Sequence, residues 1–194
     1  MSENLHVVDW PNRPIRATLG NPALVRVHLK SNRLIARQQL RFVARNLVAT
    51  WSYGIVSDSA WHETPYGPVC KAMLEGQPLF LSFSYSGDFG WIGFFIDRAV
   101  GIDALYHQLF AELESVTHLY FSPSQAKAVL DAENPSYAFA QAWTAREARL
   151  KLYGRNLSEF PDLPSDGLGL CEYRLDHCGT VVTLVTDYPF ILIR

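Results

Sequence analysis

The stretch from Asn134-Pro135 to Gly154 restricts the fold of this chain more than any other. Asparagine caps a helix N-terminus, proline suits its first turn, and glycine stops it, so the pattern predicts a helix ending near Tyr153. Within it Phe139, Trp143, Glu147 and Lys151 follow one another at i+4 steps and form one slowly drifting row. Trp143 is expected to anchor that row in the core, with Glu147 and Lys151 emerging one turn apart. An exposed i,i+4 ion pair worth roughly 0.3–0.5 kcal/mol would account for this spacing. A working acid and cation is the alternative, although from spacing alone the surface pair is the commoner case.

Upstream, Val100-Gly101-Ile102-Asp103 ends a β-rich apolar run on an aspartate. That strand reads as buried on both faces, and a buried carboxylate needs a cation, a metal or several donors. The bland reading is a strand-end aspartate capping a following helix. Asp103, Glu147 and Lys151 together could surround one site with two carboxylates and a cation, which is what a magnesium-assisted attack on phosphorus requires.

The remaining elements follow from local pattern. Leu24 to Lys30 alternates as a strand. Ser31 or Asn32 caps a helix from Arg33 to Trp51, whose apolar stripe is Leu34, Leu40, Val43, Ala44, Leu47 and Val48. Pro65, Gly67 and Pro68 mark a loop. Leu79 to Ser84, Trp91 to Ile96 and Val100 to Leu105 read as strands, joined by turns at Gly87-Asp88 and Asp97-Arg98. Helices are expected from near Tyr106 and from Ser122-Pro123. After a Pro-rich loop at 161–164 come short strands over 170–175, 181–186 and 190–193. The order defines an α+β fold with two roughly matching halves.

At 194 residues, 48% of them hydrophobic, the chain can bury a core without staples. A net charge of −2 gives no electrostatic case for nucleic acid as a partner. No apolar run reaches membrane length and no signal-peptide pattern is present, so no membrane partner and a cytoplasmic location are expected. Cys70, Cys171 and Cys178 match no zinc spacing and read as reduced thiols. Two further features carry possible chemistry. Ser82-Phe83-Ser84-Tyr85-Ser86-Gly87-Asp88 could hold phosphate oxygens or be an ordinary hairpin turn. Arg33, Arg37, Arg41 and Arg45 recur every four residues and suit phosphates, an acidic partner or a solvated helix face.

These segments, in this order, resemble the 4′-phosphopantetheinyl transferases, specifically the long surfactin-synthetase-type enzymes with two similar halves. Ala36-Arg37 with Leu40-Arg41 resembles the family's early basic helix, and Tyr66-Gly67-Pro68 its Gly-Lys-Pro loop. Phe83 to Asp88 resembles its Ser-His-Ser-Gly segment, and Val100 to Asp103 its Val-Gly-Ile-Asp strand. Phe139 to Leu157 resembles its Trp-x-x-Lys-Glu-x-x-x-Lys helix. The resemblance spans residues 24 to 190. It implies two α/β halves in a pseudo-two-fold arrangement, residues 1–98 and 99–194, the second carrying the metal motifs.

The resemblance also implies a reaction. Coenzyme A would donate its 4′-phosphopantetheine arm to a serine of an apo acyl or peptidyl carrier protein, with Mg²⁺, releasing 3′,5′-ADP. Asp103 and Glu147 would hold the metal. Glu147 would also help deprotonate the serine, and Lys151 would neutralise the departing pyrophosphate. Arg37, Lys71, Ser84, Tyr85 and Lys151 would contact coenzyme A. The carrier would be acidic, steered by Arg146, Arg149 and Arg155 or by the Arg33–Arg45 row. A monomer is implied. The departures are Leu105 where the family has a second acid, Tyr85 for its histidine, Arg146 for its lysine, and Lys71 as a replacement for the loop lysine. They imply a weaker metal site and leave open a relative that binds coenzyme A or the carrier without transfer.

Overall fold

A computed structural model describes residues 7–11, 21–29, 32–52, 61–64, 67–70, 73–74, 77–155, 157 and 170–187, with 63–64, 67–70 and 73–74 described by backbone alone. The fold is α+β. Strands β1 (Val7–Trp10), β2 (Ala23–His28), β5 (Met73–Leu74), β6 (Gln77–Ser86) and β7 (Phe89–Ile96) form one sheet in the order β1-β2-β7-β6-β5. Strands β8 (Val100–Tyr106), β9 (Leu170–His177) and β10 (Thr180–Asp187) form a second, ordered β8-β10-β9. A separate hairpin pairs β3 (Trp61–Thr64) with β4 (Gly67–Cys70). The helices are α1 (Arg33–Trp51), α2 (Leu113–Tyr120), α3 (Pro123–Leu130) and α4 (Pro135–Leu152).

The helix boundaries follow the caps. The Asn32 side chain accepts from Leu34 N and Ile35 N, Ser122 and Gln125 form a capping box, and Asn134 accepts from Tyr137 N. Gly154 takes φ +62° just beyond α4, a left-handed conformation that costs glycine little. On α1 the buried face is Ala36, Leu40, Val43, Ala44, Leu47, Val48 and Trp51, packed against one face of the first sheet. Leu34, expected on that stripe, is 66% exposed, because it lies two residues before Ala36 and so falls on the opposite side of the helix from the buried face.

Several other expectations change. Gly67 and Pro68, read as part of a loop, begin a strand, since the backbone of Gly67–Cys70 pairs with Trp61–Thr64. Asp97-Arg98 does not close a hairpin: β7 pairs with β2 and β6, while β8 leaves for the second sheet and pairs with β10. Tyr106 ends a strand instead of starting a helix, and α2 begins only at Leu113. Strand β1, parallel to β2, had no counterpart in the sequence pattern. The 161–164 loop and the 190–193 strand lie outside the described residues, as do Ser31, Pro65 and Lys71.

The two sheets are joined by side chains. Over the last five residues of β6 every second residue is a serine, and the Ser82, Ser84 and Ser86 hydroxyls accept from the N–H groups of Ile102, Ala104 and Tyr106 at 3.1, 3.0 and 2.7 Å. Both strands repeat every two residues, so the contacts stay in step. The N–H edge of β8 that does not face β10 is thereby satisfied without a further strand.

Candidate functional site

Glycine at position 101 sets the distance between α4 and β8. A Cβ on Gly101 would lie 1.9 Å from Ala148 O and 2.7 Å from Leu152 N, both backbone atoms of α4. The helix therefore rides directly on the strand, at the residues next to Glu147 and Lys151. Thr144 adds a lateral tie: its hydroxyl lies 2.7 Å from that of Thr183, the β10 residue paired with Asp103.

Asp103 is 8% exposed, and its Oδ1 accepts from both Ser84 Oγ and Lys151 Nζ at 2.8 Å. Lys151 Nζ also donates to Ile102 O at 2.9 Å and Phe83 O at 3.3 Å. An ammonium has three donors, and here all three are used, bridging α4, β8 and β6. The surface-pair reading of Glu147 and Lys151 thus gives way to a Lys151–Asp103 pair, the lysine partly buried and the aspartate buried. Glu147 stands beside it with Oε1 buried and without a hydrogen-bond partner. Burial, and then the neighbouring Asp103 charge, raise its proton affinity above the usual carboxylate range, while Lys151 and Arg146 oppose the shift.

The other expected site residues are distributed by the same geometry. Ser84 faces Asp103, but its proton goes to that carboxylate and its oxygen accepts from Ala104, so in this arrangement it offers no donor to a phosphate. Tyr85 points to the other face of β6 and packs on the α1 core, as the two-residue period requires. Arg37 is exposed on α1. Arg146, expected on a carrier-docking surface, is only 6% exposed, because its position on α4 faces inward. Arg149 pairs with Glu172 at 3.2 Å. Leu105 packs in the apolar cluster with Phe139 and Trp143. Among the described residues no group of three histidines, cysteines or acids could hold a metal. The serine ladder and the role of Gly101 were not anticipated. The Ser-x-Ser-x-Ser spacing was visible, but its partner strand was not.

Replacing Lys151 by methionine is expected to destabilise the chain by about 2–3 kcal/mol, because Asp103 would keep its burial and lose its cation. Chemical denaturation measures this, and Asp103→Asn combined with Lys151→Met should recover part of the loss. Ser84→Ala should cost about 1–3 kcal/mol by orphaning the Ala104 N–H and one Asp103 contact. An unchanged urea midpoint for Ser84→Ala would mean that water replaces the hydroxyl.

A strand aspartate paired with a helix lysine, with a second carboxylate alongside whose Oε1 has no donor, makes this a charged centre. Residues 99–182, which contain all three groups, match the family model of the 4′-phosphopantetheinyl transferase superfamily. The chain is also similar to a Synechocystis sp. protein named as a candidate 4′-phosphopantetheinyl transferase, with 27% identity over 133 residues, 65% of this chain and 54% of that protein. The chain thus matches about half the length of that curated relative.

Proposed function

We propose that this chain transfers the 4′-phosphopantetheine arm of coenzyme A to a serine of an apo acyl or peptidyl carrier protein, releasing 3′,5′-ADP. The observation that carries the reading is the buried, unpartnered Glu147 Oε1 beside Asp103, within the segment that matches the superfamily. Two neighbouring carboxylates, one with its Oε1 lacking a donor, fit a divalent cation such as Mg²⁺, with Asp103 and Glu147 as its protein ligands. When bound, the cation would supply charge neutralisation for the pyrophosphate.

The chain's own residues perform the rest. The carrier serine oxygen attacks the phosphorus that bears the pantetheine arm, and the pyrophosphate P–O bond breaks to release 3′,5′-ADP. Glu147, with its raised proton affinity, accepts the serine proton directly or through a water. Lys151 supplies positive charge beside the leaving group, releasing a strand carbonyl to reach it, and Ser84 holds Asp103 in place. The rate gain comes from positioning and charge more than from covalent help. Arg37, Lys71 and Tyr85 are proposed around the nucleotide end of coenzyme A, and Arg155 or the Arg33–Arg45 row as the surface for an acidic carrier.

The 1–98 and 99–194 halves are proposed as two related units of a monomer. In support, the five-stranded sheet draws only on residues before 97 and the three-stranded sheet only on residues after 99. Among the described residues no helix is long and apolar enough to cross a membrane. The deciding test is intact mass of an apo carrier protein incubated with the chain, coenzyme A and Mg²⁺, with and without EDTA. A metal-dependent gain of one phosphopantetheine arm is expected. No gain across several apo carriers would sink the reading.

A further inference from the structure

Oxygens of two strands converge on the Lys151 ammonium. Asp103 Oδ1 lies 2.8 Å from Nζ, Ile102 O 2.9 Å and Phe83 O 3.3 Å. Carboxylate and backbone carbonyl oxygens are also what a hard divalent cation takes as ligands. The lysine therefore stands at the point of the centre that a cation would favour. Ser84 Oγ donates to the same Asp103 Oδ1 at 2.8 Å, so that atom already serves two donors. Glu147 Oε1, one turn back along α4, is buried and has none. Leu105 follows Asp103 on the same face of β8 and adds no charge. The Lys151 side chain is only partly enclosed, with 19% of its surface exposed.

We propose that Lys151 is the resident cation of this centre and competes with a divalent ion for Asp103, so that the ion loads together with a polyanion and poorly without one. The proposal rests on the transferase reading above. Its physical basis is charge balance. Asp103 and Glu147 supply at most two negative charges, and Lys151 cancels one of them. A divalent ion added beside the ammonium would leave the centre net positive, and it would share Asp103 with the donors already there. A pyrophosphate changes both conditions. It brings negative charge, and it offers the ammonium new acceptors. Phe83 O, at 3.3 Å the longest of the three Lys151 contacts, is the one given up first. As the lysine turns to the phosphate, Asp103 is freed for the ion. The coupling is reciprocal: the ion tightens the polyanion by the same factor as the polyanion tightens the ion. Until both arrive, the lysine keeps the buried aspartate neutralised.

Calorimetric titration with Mn²⁺ alone tests this on the wild type, on Lys151→Met, and on Lys151→Met combined with Asp103→Asn. Lys151→Met should bind Mn²⁺ about tenfold more tightly than the wild type or better, since one neighbouring positive charge is gone. The double variant should lose that gain. Mn²⁺ should also raise the thermal midpoint of Lys151→Met by more than that of the wild type, a recovery that a purely structural lysine would not give. If Lys151→Met does not fold, Lys151→Gln decides by the same titration. Mn²⁺ affinity no higher than the wild type's in a folded variant without the lysine overturns the proposal. Coenzyme A should tighten Mn²⁺ roughly tenfold in the wild type and by a smaller factor in the variant. An equal factor in both chains overturns the proposal as well. A wild-type chain that binds no coenzyme A with Mn²⁺ present refutes the transferase reading instead, while the titration with Mn²⁺ alone still decides the role of the lysine.

Discussion

Gly101→Ala is expected to destabilise the chain by about 4 kcal/mol or more, lowering the thermal midpoint by roughly 10 °C. The added methyl would meet Ala148 O at 1.9 Å and Leu152 N at 2.7 Å. Neither atom can swing away as a side-chain tip could, so α4 as a whole must lift from β8. That lift also separates Lys151 from Asp103 and from the Ile102 and Phe83 carbonyls. Stability and coenzyme A affinity should therefore fall together. Calorimetric unfolding measures the first and titration the second. A midpoint within about 2 °C of wild type would show that the helix contact is more compliant than the structure implies.

Glu147→Gln should move stability and activity in opposite directions. Transfer to the carrier is expected to fall on the order of a thousandfold, about 4 kcal/mol in the barrier, since one carboxylate would lose both its proton-accepting and its cation-binding roles. Stability should rise. Glu147 binds its proton more tightly folded than unfolded, chiefly through burial and then through Asp103. Its favourable contribution is therefore complete below the unfolded carboxylate value, near 4.3, and is lost as pH rises through the raised folded value. Wherever Glu147 is ionised, its carboxylate, with Oε1 lacking a donor, works against the fold, and glutamine removes that penalty. The thermal midpoint of the variant should exceed that of wild type by roughly 2–4 °C for each kcal/mol relieved, with the gap closing toward acid pH. Mg²⁺ should raise the wild-type midpoint and leave the variant unmoved. A variant equal to wild type at every pH would contradict the isolation of Glu147.

Local rules made much of the framework legible before any coordinates. Asn32, Ser122 and Asn134 announced three helix starts, and the structure places caps at all three. Strands with a clear apolar pattern, such as β2, β7 and β10, fell where the alternation or apolar run put them. The errors cluster where pairing partners decide. Gly67 and Pro68 have the composition of a loop and begin a strand because β3 lies beside them. Asp97-Arg98 has the composition of a hairpin turn, yet the next strand finds its partner more than seventy residues later, in β10. No window of local sequence contains that choice.

The same division runs through the site. Sequence alone determined that Glu147 and Lys151 share a helix row, that Asp103 lies in a strand buried on both faces, and that Gly101 precedes it. Those are consequences of period and composition. Only the tertiary structure decided that Lys151 pairs with Asp103 and not with Glu147, that Ser84 spends its proton on a carboxylate, and that Glu147 Oε1 is left without a donor. The reason is that an i,i+4 spacing permits a contact without enforcing it. The lysine goes instead to the carboxylate and two carbonyls that β8 and β6 bring within reach, once the missing side chain at Gly101 lets α4 settle on the strand.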